Sequence, residues 1–203
     1  MYRQHKLVER DGVAGNGRLT GGAAVVLLVL LAAEGVTIPF IGPLIGPHLF
    51  IGMLLIPPVL VKLGSTGYRF ARYYAGNPPY RRKGPPPWPM RMLAPGVVLT
   101  TLALFGTGLA LAVLGPDDSG SLKFVHKASF IAWFVLMTIH VLGHLLELPG
   151  LALPDWRRHG GREAALAGAG LRLALIATSL VAGLAVALAT ISLASPWLGA
   201  GGG

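Results

Sequence analysis

Five long apolar runs divide this chain, at about Gly21–Phe40, Leu44–Leu63, Met92–Leu114, Leu122–Leu148 and Leu171–Leu193. Each is close to the ~20 residues that a helix needs to cross ~30 Å of hydrocarbon. No water meets a stray N–H or C=O inside a bilayer, so a spanning segment of this length has to be helical. The expected fold class is therefore all-α, a polytopic membrane protein with one membrane domain. Charged residues make up only 12% of the chain, about half the usual share for a soluble domain.

The segments between the runs alternate in charge. The first connection, Ile41-Gly42-Pro43, has none, and the second carries Arg69, Arg72, Arg81, Arg82, Lys83 and Arg91. The third contains Asp117 and Asp118, the fourth Arg157, Arg158 and Arg162, and the end of the chain from Pro196 is uncharged. Cations favour the cytoplasmic side, so the pattern puts the N-terminus in the cytoplasm and the C-terminus outside. Five spans demand the same result. The expected plan is a cytoplasmic segment over 1–20, a membrane domain over 21–195 with a basic, Pro-rich loop at about 66–91, and a flexible tail over 196–203, in a cell membrane.

Arg3, Lys6, Arg10 and Arg18 ahead of an apolar run also suit a signal peptide. The run continues past Glu34 to Ile41, which is long enough to span, and it reads as the first transmembrane helix. The net charge of +9 is gathered in the connections and has no basic domain of its own, so nucleic acid is not an expected partner. The lipid bilayer is. Two prolines side by side, Pro57-Pro58, predict a kink in the second span. Asn77-Pro78-Pro79 and Pro85-Pro86-Pro87 predict an extended path through the basic loop, where Arg69, Arg72, Tyr73 and Tyr74 form an interfacial anchor or a docking place. No internal repeat is visible.

The chain has no cysteine, which excludes disulfides, thiolate metal sites and covalent c-type haem. It does have His126 and His140 inside one apolar run, fourteen positions apart. Along a helix that is ~21 Å, with the two side chains within about 40° of each other. Histidine within a membrane span is costly and points to function. Two neutral imidazoles at two depths on one face suit the axial ligation of two stacked haems b.

Each iron needs a second ligand from a neighbouring helix. Spans two and four run in the same direction, which puts His48 at the depth of His126, across an outer haem. Fourteen positions beyond His48 lies Lys62. It is either a neutral amine ligand opposite His140 at an inner haem, or a lysine snorkelling to the headgroups. His144 is the alternative inner ligand, a propionate contact, or a cation at a helix C-terminus. Glu34 is a carboxyl bonded to a histidine, a proton-uptake group at a quinol site, or a neutral acid bonded to backbone. Gly106 and Gly108 make room for a macrocycle or for helix packing. Arg69, Arg72 and Arg91 inside, and Lys123 and Lys127 outside, are candidates to meet haem propionates or a quinone. His5 and His159 read as solvated.

The stretch from Leu122-Lys123-Phe124-Val125-His126 to His140-Val141-Leu142-Gly143-His144, with Thr107-Gly108 in the third span, resembles the membrane b-type cytochromes. These are the di-haem cytochrome b subunits of formate dehydrogenases and nickel–iron hydrogenases. The likeness covers spans two to four. It implies a four-helix haem-binding bundle plus one additional helix, with His126 and His140 on the outer and inner haems and His48 as the outer partner. In those families the first span supplies the second inner histidine, and here that span has none.

The reading that follows is a membrane subunit of a redox complex, carrying electrons between a partner oxidoreductase and quinone or another carrier. The alternatives are a histidine-lined proton or metal transporter and a structural anchor for other subunits. No nucleophile–base set and no nucleotide-binding glycine motif appears, so substrate chemistry would fall to a quinone site or to a partner.

Overall fold

The computed structural model describes residues 2–156 and 168–200. Arg157, Arg158, His159 and Arg162 fall outside the described residues, as does the side chain of His5. The described residues form eight α-helices joined by short turns, with no strand. They are α1 (Tyr2–Thr37), α2 (Ile41–Tyr74), α3 (Pro78–Lys83), α4 (Trp88–Leu114), α5 (Leu122–His144), α6 (Leu148–Trp156), α7 (Ala169–Ala189) and α8 (Ser195–Ala200).

Among the described residues, four helical stretches are long and apolar enough to cross a membrane: Gly12–Tyr74, Trp88–Leu114, Leu122–His144 and Ala169–Ala189. They suit a lipid bilayer and a multi-pass arrangement. The first, at 63 residues, is about three times the length that one crossing needs. It folds back on itself. Pro39 lacks the N–H that would bond the Gly35 carbonyl, so α1 stops at Thr37 and a 3₁₀ turn, Ile38–Phe40, reverses the chain. The legs then meet along their length. His48 reaches Glu34 and Thr37 near the turn, while at the far end Lys62 and Ser65 reach Thr20 and Asn16. Partners that separate in step on both sides of a turn define antiparallel legs.

The prolines Pro57-Pro58 do not interrupt the helix. Helical dihedral angles continue through both, and the one departure inside α2 is Leu44 (φ −104°, ψ 16°), between Pro43 and Pro47. Packing accounts for the unbroken run. Pro58 is fully buried and cannot donate to the Leu54 carbonyl one turn back. Gly183 of α7 lies directly against that carbonyl, where a Cβ would collide with it. The close backbone approach that glycine allows covers the oxygen which proline leaves without its helical donor. Gly183→Ala should therefore force α2 and α7 apart and lower stability by about 1–3 kcal/mol. A downward shift of the thermal unfolding midpoint in detergent checks this, and an unchanged midpoint would show that the contact is slack.

α7 thus belongs to the same unit as the α1–α2 hairpin. Met53, Ala112 and Ala187 form a small core beside Leu49, Phe50, Leu54, Val186 and Leu193. α4 and α5 form a second antiparallel hairpin: Gly96 meets Leu136, Thr101 meets Trp133 and Thr107 meets His126. This hairpin packs lightly on α2 through α4, while α2 and α5 scarcely touch. An apolar cleft lies between α2 and α4, lined by Ile56, Val59, Leu60, Leu63, Thr101 and Phe105.

The connection after α2 is not the extended path that its prolines suggest. α2 continues to Tyr74, and Pro78-Pro79 open the short helix α3. Proline is tolerated at the first helical positions, where an N–H has no intrahelical partner to lose. Only residues 84–87, around Pro85-Pro86-Pro87, run without regular structure before α4. At the other end of the chain, Ser195–Ala200 is helical, with Leu198 beside Gly46 of α2.

Candidate cofactor site

α5 presents His126, Trp133 and His140 at intervals of seven, which at ~100° per residue is one narrow stripe. α4 fixes which way the stripe points. The Trp133 indole, the one buried residue of α5, donates to Thr101 Oγ1 at 3.0 Å. Gly108 leaves space for the His126 ring, since a Cβ there would lie 3.1 Å from its Cε1. Gly106 borders open space instead.

Hydroxyl protons decide the tautomer of both imidazoles at the level of the α1–α2 turn. Thr107 Oγ1 donates to the Ala103 carbonyl at 2.7 Å and lies 2.8 Å from His126 Nδ1. With its proton spent on Ala103, the hydroxyl oxygen can only accept, so His126 carries its proton on Nδ1. The same logic holds for His48. Thr37 Oγ1 donates to the Glu34 carbonyl at 2.6 Å and lies 2.9 Å from His48 Nδ1, which is also 3.0 Å from Glu34 Oε1. Both Nε2 atoms are thereby bare lone pairs with no hydrogen-bond partner among the described residues. His48 lies within electrostatic range of His126.

Two imidazoles tethered at Nδ1 and free at Nε2 have the set-up of metal ligands with their outer partners in place. They come from two different helices, α2 and α5. Among the described residues no three histidine or carboxylate groups gather into a metal cage. The donors come as a pair, which is what two axial positions on a planar cofactor require. A pair of imidazoles is the donor chemistry that haem b takes.

The other level is built differently. His140 Nδ1 is buried with no hydrogen-bond partner. The His144 ring is 5.0 Å away, centroid to centroid, and His144 Nδ1 lies 3.5 Å from Glu147. Lys62 lies within electrostatic range of His140, but its Nζ donates to the Thr20 carbonyl at 2.9 Å. The amine therefore turns in towards α1. To serve as a ligand it would have to leave that bond and lose a proton.

The remaining candidates sit apart from both levels. Arg69 donates to the Gly84 carbonyl at 3.4 Å, Arg72 lies over the Tyr68 ring, and Arg91 donates to Tyr74 Oη at 2.6 Å. They brace the α2–α4 connection. Lys123 donates to the Pro116 carbonyl and faces the Trp197 ring, and Lys127 is exposed. Sequence reasoning missed Thr37 as the tether of His48, and found Thr107 only as part of a resemblance. Pairing positions across the two hairpins would have found both.

Fold and site together define an all-helical chain suited to a bilayer, with two imidazoles near one another and each bonded at Nδ1. The chain matches no protein family model, no curated protein and no solved structure.

Proposed function

We propose that this protein is a b-type cytochrome of the membrane, with His48 and His126 as the axial ligands of an outer haem. The observation that carries the reading is a shared contact: two threonine hydroxyls, on α1 and α4, each lie within hydrogen-bond distance of a histidine Nδ1, which leaves Nε2 for iron. The origin of the two imidazoles on different helices, α2 and α5, supports it. Haem supplies a one-electron couple when bound. The protein sets the ring orientation, excludes water with apolar walls, and fixes the depth of the centre.

In this reading the chain makes five passes, because Gly12–Tyr74 counts twice, with the N-terminus in the cytoplasm of a cell whose plasma membrane it spans. His140 serves an inner haem ~21 Å away, with His144 or Lys62 as its partner. Electrons pass through the bilayer between a partner oxidoreductase and quinone or another carrier. Arg69, Arg72 and Arg91 then stand on the cytoplasmic side, where a quinone headgroup or a partner subunit meets the protein.

The experiment is a reduced-minus-oxidised spectrum of the purified protein with a pyridine haemochrome assay. The expected result is a b-type spectrum with one or two haems per chain. A colourless protein after expression with ample haem would end the proposal.

A further inference from the structure

We propose that Glu34 is a positioning residue for the outer iron, and that its carboxylate on the His48 Nδ1–H makes that imidazole the stronger electron donor of the pair and holds the centre's reduction potential low. The inference rests on the haem reading above and goes beyond it. The two tethers are unequal. Both partners of His126, a hydroxyl and the Leu104 backbone carbonyl, are neutral, whereas His48 meets a hydroxyl and a carboxylate, at 2.9 and 3.0 Å. Thr37 cannot satisfy the carboxylate, because its proton goes to the backbone carbonyl of Glu34 itself.

The second carboxylate oxygen, Oε2, is buried with no hydrogen-bond partner. Among the described residues His48 Nδ1–H is thus the sole hydrogen-bond donor to this group. A buried carboxylate with one donor pulls hard on that proton. The pull raises the basicity of the distal nitrogen. A negative charge at this depth also acts through a low dielectric. Both effects favour the more positive state of an iron held at Nε2, and second-shell bonding of this kind is one of the levers on haem potential.

The test compares Glu34→Gln, Glu34→Asp and Thr107→Val with the parent by potentiometric titration and low-temperature EPR. Glu34→Gln keeps shape and an acceptor oxygen but no charge. It should bind haem at the parental ratio, move the outer centre to a more positive potential and change its g-values. The shift should exceed that of Thr107→Val, and Glu34→Asp should recover part of it. If Glu34→Gln fails to assemble, Thr37→Val carries the question, because it leaves the carboxylate as the only acceptor and should move the potential downward. Parental potential and g-values in Glu34→Gln, or an unchanged or upward shift in Thr37→Val, would overturn the role of Glu34 and leave the haem reading standing. A parent protein without haem removes the reading itself, and that is known before any variant is made.

Discussion

His126→Ala should strip the outer haem from the protein while the helices remain in place. The side chain is half-buried and bonds Thr107 at 2.8 Å and the Leu104 backbone carbonyl. Alanine is the best helix former, so α5 loses no local stability. Thr107 keeps its bond to Ala103 and is not orphaned. What disappears is one of two axial donors. The haem-to-chain ratio should fall by one, or to zero if the outer site is the only one. His48→Ala should give the same loss, although it also strands the Glu34 carboxylate and should cost more in stability.

Thr107→Val is the milder companion, expected to weaken haem binding by about 10–100-fold through its ligand. Added imidazole should restore a six-coordinate spectrum to His126→Ala, because the cavity left by the side chain admits the missing ring. Retention of the full parental spectrum in both alanine variants would show that the two histidines do not hold iron.

The helices and their order were legible in the sequence because apolar length has few readings in a membrane. The nearness of His48 to His126 was also legible, since it follows from chain direction alone. Rotation about each helix axis was not. It is set by contacts such as Trp133 on Thr101 and Gly183 on the Leu54 carbonyl, which arise only once helices are paired. The surroundings of the double proline were hidden for the same reason. Proline chemistry predicts a broken ladder but not what covers the freed carbonyl, here a glycine 129 positions after Leu54. Lys62 shows the limit most clearly. Its spacing from His48 suits an inner ligand, yet the nearest acceptor is a carbonyl on another helix.

Asp155→Ala should be the most destabilising single change outside the histidine sites. α6 is a nine-residue segment with two prolines, and nothing in its composition announces a structural role. It nevertheless packs on α1, with Gly21 against Leu151 and Ala152 buried. Asp155 at its end accepts from Arg172 of α7 at 2.8 Å and from Arg18 of α1 at 3.1 Å, and its side chain is only 5% exposed. One carboxylate thus joins three helices and faces two guanidinium groups, themselves only 10% and 17% exposed. Removing it takes this carboxylate away from two part-buried guanidinium groups, and loss of one partner of a buried ion pair typically costs about 3–5 kcal/mol.

The bond from Arg172, and then that from Arg18, hold the Asp155 carboxyl below the ordinary carboxylate range against the opposing effect of burial. The native state therefore releases this proton more readily than the unfolded chain does. Its stabilisation is complete above the unfolded value of ~3.9 and fades as pH falls from there through the lower native value. Thermal unfolding in detergent should show a large drop for Asp155→Ala near neutral pH. Asp155→Asn keeps the shape without the charge, and should lose most of the same stability along with part of the acid sensitivity below about pH 4. Midpoints equal to the parent's in both variants would mean that α1, α6 and α7 hold together by apolar packing alone.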